Sequence, residues 1–175
     1  DDFCPAYGIT IATITVNVVP PIPDLRCISV DDDGDIELTW QYAPGSPPTN
    51  EPYYVYHSSD STQPFTLIDS VFHPDISYKH FGANGDNQSQ HYFLATDQSC
   101  GITTGQLHSD TLSSIFLDGS AIDLGVTADL SWNTIHNPLL ITSDTMYHLY
   151  YKKEITWDLI DSTNVLSYLF PADSC

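Results

Sequence analysis

The densest chemistry in this 175-residue chain is a run of carboxylates, Asp31-Asp32-Asp33-Gly34-Asp35. Neighbouring carboxylate oxygens around a glycine that permits a sharp turn are what calcium asks of a loop. Asp31, Asp33 and Asp35 are therefore the residues that would hold a calcium ion. The run is shorter than an EF-hand loop and lacks the bidentate glutamate that closes one. Asp33-Gly34 is equally the signature of a plain β-hairpin turn with solvated carboxylates. Asp1, Asp2 and Asp24 form a second place where a cation could sit, between domains.

Other chemistry is thinner. His57, His73, His80, His91, His108, His136 and His148 are scattered, with no pair at helical i, i+4 spacing. No nucleophile elbow, P-loop, dinucleotide fingerprint or H-E-x-x-H segment occurs. Exposed or hydrogen-bonded imidazoles are the expectation, and no catalytic residue can be named. The four cysteines, Cys4, Cys27, Cys100 and Cys175, stand singly, without a C-x-x-C pair for zinc or redox work. Such spacing suits structural disulfides in an oxidising compartment. A Cys27–Cys100 bridge is the one expected within a domain. It would close a loop of about 70 residues and restrict the unfolded chain by roughly 4 kcal/mol in the loop-entropy picture. Cys4 and Cys175 would then pair elsewhere. Asn87-Gln88-Ser89 fits a glycosylation sequon.

Composition narrows the partners. There are 23 acidic and 4 basic side chains, for a formal charge of -19. Nucleic acid and anionic membrane surfaces need Lys and Arg to neutralise phosphate, so neither is an expected partner. No apolar run approaches the roughly 20 residues that span a bilayer. With 41% hydrophobic residues there is enough apolar material for real cores. Only Glu37, Glu51 and Glu154 are glutamates and one residue is Met, while Thr, Val, Ile, Tyr, Asp and Pro abound. That balance predicts an all-β protein. So large a charge opposes self-association unless counter-ions, calcium among them, intervene.

The elements that must position these residues come in two copies. Leu38-Thr39-Trp40 recurs as Leu130-Ser131-Trp132, and Leu67-Ile68-Asp69-Ser70 recurs intact as Leu159-Ile160-Asp161-Ser162. Tyr53-Tyr54-Val55-Tyr56 corresponds to Tyr147-His148-Leu149-Tyr150, and Ser77-Tyr78 to Ser167-Tyr168. Landmarks in one order, with small changes of spacing confined to loops, mark two copies of one β-domain. Alternation and turn residues predict strands at 25–30, 35–41, 53–58, 65–71, 76–81, 91–97 and 103–108. Seven short strands in about 90 residues is the count of an immunoglobulin-like sandwich. Trp40 and Trp132 are expected in cores, with Tyr54 and Tyr56 packing inward or half-inward and Leu67 and Leu94 across the sheet interface. Residues 9–18 alternate well and run into Val19-Pro20-Pro21-Ile22-Pro23, a stiff linker. They read as the closing strand of a preceding domain, so 1–19 is assigned to that strand and linker. Residues 20–109 form one complete domain. Residues 110–175 form a second, cut short before its last two strands, as in a window from a longer polypeptide.

The sequence of Leu-x-Trp, then Tyr53-Tyr54-Val55-Tyr56, then Tyr92-Phe93-Leu94-Ala95 resembles the fibronectin type III domain. The stretches Leu25–Val30, Gly34–Trp40, Asp97–Gly101 and Ser109–Leu117 are similar to the tandem modules of very large secreted Bacteroidota proteins. The resemblance covers about residues 20–175 and implies tandem immunoglobulin-like (fibronectin type III-like) β-sandwiches. It also implies extracellular or cell-surface localisation, export by type IX secretion and the adhesin-like company of gliding-motility proteins. The expected function is non-catalytic: extending a long molecule and presenting loops to cells, surface glycans or identical subunits. Its partners are neighbouring domains of the same chain. The alternative is a spacer or carbohydrate-binding accessory module of a secreted hydrolase.

Overall fold

Alternating residues become paired strands in a computed structural model that describes residues 21–42, 52–96, 107–122, 127–136 and 146–171. The first copy builds strands β1 (Asp24–Val30), β2 (Ile36–Gln41), β3 (Tyr53–Ser58), β4 (Thr66–Val71), β5 (Ser77–His80), β6 (His91–Thr96), β7 (Leu107–His108) and β8 (Leu112–Ser113). One sheet runs β1-β2-β5 and the other β4-β3-β6-β7, with β8 also on β6. All these pairings are antiparallel. The fourth strand joins the third, unlike the constant-type immunoglobulin sandwich, where it extends the first sheet. β8 lies past residue 109 and still belongs to this sandwich, pairing His91 with Ser113 and Tyr92 with Leu112.

Two-residue alternation places one face of each strand inward. In β2 these are Ile36, Leu38 and Trp40, in β3 Tyr53 and Val55, and in β6 Tyr92 and Leu94, all buried. Leu25, Ala83 and Leu112 complete the cluster. Each buried Ile, Leu or Val among them contributes about 1.5–3 kcal/mol of transfer free energy. The loop after β5 seals one end: a Cβ on Gly85 would lie 2.9 Å from Val30 Cγ1 and 3.0 Å from Ile36. Only glycine lets that backbone pass so close to the core.

One expectation about the core is corrected. Tyr54 and Tyr56 are half-buried beside the fully buried Tyr53 and Val55, but Leu67 is 52% exposed while Ile68 packs against the core. The cause is a bulge. Val55 faces Asp69 but Tyr56 faces Leu67, so Ile68 is an extra residue that re-aims the strand.

The second copy repeats this plan with β9 (Leu117–Ile122), β10 (Thr127–Trp132), β11 (Tyr147–Lys153), β12 (Thr156–Thr163) and β13 (Ser167–Pro171). Sheets β13-β10-β9 and β11-β12 correspond to β5-β2-β1 and β3-β4. Two of the registers coincide, and β9 differs from β1 only in lacking its bulge between Leu25 and Cys27. Leu38 faces Tyr78 and Leu130 faces Tyr168. Tyr53 faces Val71 and Tyr147 faces Thr163. The bulge recurs too, with Leu149 opposite Asp161 and Tyr150 opposite Leu159, leaving Ile160 extra. Among the described residues nothing corresponds to β6 or β7, and Trp157, Leu159 and Leu169 stand exposed.

Unequal packing of the equivalent tryptophans gives a direct check, since Trp40 is 1% exposed and Trp132 8%, beside an open groove. Trp40→Ala is expected to cost about 3–5 kcal/mol in urea unfolding, the usual range for a buried tryptophan. Trp132→Ala should cost clearly less. Equal losses would show that both sites are packed alike.

Candidate functional site

The Asp31–Asp35 run forms the β1–β2 hairpin, held by its own backbone. Asp31 Oδ1 accepts from Asp33 N and Asp35 N, each at 3.0 Å. Gly34 N donates to Asp31 O at 3.0 Å. Gly34 has φ +75°, a left-handed position that suits glycine at a turn. The remaining oxygens of Asp31 and Asp35 face Lys79, whose Nζ is 2.7 Å from Asp31 Oδ2 and 3.3 Å from Asp35 Oδ2. Asp35 Oδ1 accepts from Gly82 N at 2.7 Å. The hydrogen bond to Lys79 holds the Asp31 carboxyl below its ordinary range, and the same bond raises Lys79. An ammonium thus sits where the calcium reading would put its ion, while Asp33 contributes no side-chain contact to it. Among the described residues no group of three or more His, Cys, Asp or Glu converges on a metal position.

Other expected site residues are placed as follows. Cys27 is exposed on β1 with a free thiol, and Cys100 lies outside the described residues. Asp24 pairs with the adjacent Arg26, while Asp1 and Asp2 lie outside the described residues.

The sequence did not single out the polar seam that joins the two copies. Ser113 N donates to Ile135 O at 2.7 Å. Asn133 reaches back with both ends of its amide: Nδ2 donates to Ser114 O at 2.8 Å and Oδ1 accepts from Phe116 N at 2.7 Å. Leu112 forms a bridge with His136. On the other side Ser114 N donates to Gln90 O, and Gln90 N to Ser114 Oγ, both at 2.8 Å. Between β8 and the second copy, the backbone of Ser114 is hydrogen-bonded on both sides and that of Phe116 to Asn133. A lone Asn after Trp132 was the only sequence signal, and an Asn in a loop is too common to announce such a clamp.

Beside the seam opens a cleft of about 690 Å³, whose walls include Asp60, Gln88, His91, Ser113, Asn133 and Thr134. His91 Nδ1 lies 2.6 Å from Ser113 Oγ. Ser113 is buried, and Asp60 Oδ1, the nearest candidate to orient His91, instead accepts from Thr62 N and Thr62 Oγ1 at 2.8 Å.

No protein-family model matches the sequence, and no curated protein matches it. Solved structures do. A Fn3-like protein from Clostridium thermocellum is 22% identical with a TM-score of 0.42, over 61% of this chain and 99% of that one. The FN1-FN3 domains of chicken CNTN1 are 12% identical with a TM-score of 0.36, over 88% of this chain and 58% of that one. The fold is fibronectin type III-like. Within this chain, that statement stands on the β1-β2-β5 and β4-β3-β6-β7 strand order.

Inside the first fibronectin type III-like module, histidines line the end of the core nearest the seam. His57 Nε2 is 2.8 Å from Gln90 Oε1, His80 Nδ1 is 2.8 Å from Tyr92 Oη, and the two rings lie 4.9 Å apart edge-to-face. Burial lowers the pKa of His80, and the neighbouring His57 lowers it further; burial likewise lowers His91. Burial also pushes the Tyr53 phenol up to about 12.

These shifts fix a sign. The unfolded chain binds protons at His80 and His91 that the folded chain refuses, so stability rises with pH through the window below the ordinary histidine value. Lowering the pH from 7 to 5 is expected to reduce the melting temperature, and His80→Gln should flatten that dependence. A profile that stays as steep in His80→Gln would assign the effect elsewhere. The hairpin yields a second test. Calcium, at matched ionic strength, should leave the melting temperature of the unaltered chain unchanged but raise that of Lys79→Met. A rise in the unaltered chain would show that the ammonium yields to the metal.

Proposed function

We propose that this chain is a non-catalytic structural and adhesive segment of a large extracellular bacterial protein. It extends that protein and presents loops to cells, glycans or identical subunits. The domain division we adopt is 20–109 and 110–175, with Leu112–Ser113 of the second stretch folded back onto β6 of the first, and residues 1–19 closing a preceding module. Bacteroidota surface proteins exported by type IX secretion are the parent class that the tandem pattern suggests. Supporting the reading are the repeated register, the acidic surface and the absence of a helix long and apolar enough to cross a membrane among the described residues.

The observation that carries the proposal is the seam. A spacer must transmit direction, and hydrogen bonds from Ser113, Asn133 and Phe116 replace a loose linker with a fixed one. Domains joined by slack linkers move relative to one another by default, so so firm a joint points to an extending role. A second reading has its own support. The hydroxyl- and amide-lined cleft would suit a glycan held by an accessory module of a secreted hydrolase.

Small-angle scattering decides the first point. The unaltered chain is expected to fit a single arrangement of modules, and Asn133→Ala to broaden it, with little loss in the melting temperature of the first module. Scattering that is equally broad for both would sink the spacer role. A polysaccharide array without binding would remove the glycan reading and leave the spacer alone.

A further inference from the structure

His57, His80 and His91 gather where the short strand β8 closes the first module. β8 has 2 residues, and β6 holds it by facing His91 with Ser113 and Tyr92 with Leu112. Facing residues of an antiparallel pair lie on one side of the sheet and touch. Each of these pairs carries a contact between a histidine and a hydroxyl. His91 Nδ1 lies 2.6 Å from Ser113 Oγ, and His80 Nδ1, on β5, lies 2.8 Å from the Tyr92 phenol oxygen. Ser113 and Tyr92 are both buried. The ring of His57, on β3, is 4.9 Å from those of His80 and Tyr92, and its Nε2 is 2.8 Å from Gln90 Oε1. Gln90 in turn exchanges hydrogen bonds with Ser114, just past β8.

A neutral imidazole shares one hydrogen with a hydroxyl in either direction, whereas a protonated one donates from both nitrogens and accepts at neither. Proton uptake at His91 or His80 therefore turns the hydroxyl hydrogen of Ser113 or Tyr92 away from the ring and puts a charge in a buried place. Both costs fall on the residues that pair β6 with β8. Release of β8 relieves them, since water reaches His91 once Ser113 withdraws and Tyr92 once Leu112 does. Burial is the main reason that both rings have pKa values below the ordinary one, and His57 lowers them further. Asp60, in the loop after β3, pulls His91 the other way, and Asp35, just before β2, pulls His80, without reversing the sign. Tyr78 of β5 also faces His80, its ring 6.4 Å away. From the second module Asn133 and Thr134 share the cleft with His91, and neither titrates.

We propose that the β6–β8 pairing is a proton-operated latch on the joint between the modules. In mildly acidic surroundings His80 and His91 become charged, β8 leaves β6 while the rest of the first module stays folded, and the second module loses its fixed direction. β8 carries that direction because Ser113 N also donates to Ile135 O and Leu112 forms a bridge with His136. The inference rests on the spacer reading above and deepens it by naming what loosens the joint. Each proton that only the released form accepts raises the share of that form by up to about tenfold per pH unit.

Hydrogen exchange read by mass spectrometry on the full 175-residue chain tests this, each segment's rate being divided by its intrinsic rate at the same pH. Between pH 7 and pH 5, protection across residues 112–116 is expected to fall at least about tenfold, while that of β2 and β3 is kept. The double variant His80→Gln, His91→Gln should keep 112–116 protected at pH 5. Should it fail to fold, the unaltered chain still decides. The pH at which 112–116 lose protection must match that at which the ring protons of His80 and His91 titrate by NMR. Unchanged protection of 112–116 overturns the proposal. So does a loss shared equally by β2 and β3, which is unfolding of the whole module. A loss that persists in the double variant, or that departs from the ring titration, overturns it as well. Scattering at pH 7 measures the rigidity of the joint separately, so a slack joint and an unresponsive β8 are told apart.

Discussion

The architecture depends on one tryptophan spanning the space between two sheets. Trp40 is fixed by its backbone, whose N–H donates to Ile76 O at 3.0 Å, and its ring crosses to meet Tyr53 edge-to-face at 6.5 Å. The same pair of contacts recurs at Trp132, with Leu166 O at 3.0 Å and Tyr147 at 5.6 Å. A large ring at this point sets how far apart the sheets stand and which residues can meet between them. In the first module Tyr92 and Leu94 then find a gap of the right depth. In the second the equivalent Trp132 lines an open groove among the described residues.

Much of this was legible because strand alternation and repetition are local signals. The matched landmarks at Trp40 and Trp132 and at Ile68 and Ile160 are matched hydrogen-bond registers in space. The facing of Leu67 was misread for a reason equally physical. One bulged residue reverses the alternation beyond it, and nothing in a run of apolar residues marks where the extra one falls. The closing strands fared worse. β8 at Leu112–Ser113 is too short to show a period and is recognised only by its pairing with β6.

The candidate sites divide along the same line. The carboxylates of Asp31 and Asp35 were plain in the sequence, but their partner Lys79 is 48 residues from Asp31 and is brought there by β5 lying beside β2. In a chain with 4 basic residues, placing one there matters for the hairpin, although so exposed a pair adds little to global stability. Lys152 lies 4.0 Å from Asp32 across the modules, both well exposed, and is a still weaker tie. Joining the modules falls mainly to the amide of Asn133 and to backbone groups, which no charge pattern could have revealed.

That joint has a mechanical consequence. Tension along the chain would enter the first module through β8, whose hydrogen bonds to β6 lie across the strand direction. A pull from the second module therefore loads those bonds together, in shear, rather than peeling them one by one. Because Ser113 and Ser114 are tied both to His91 and Gln90 behind and to Ile135 and Asn133 ahead, force would pass from sheet to sheet without first taking up slack.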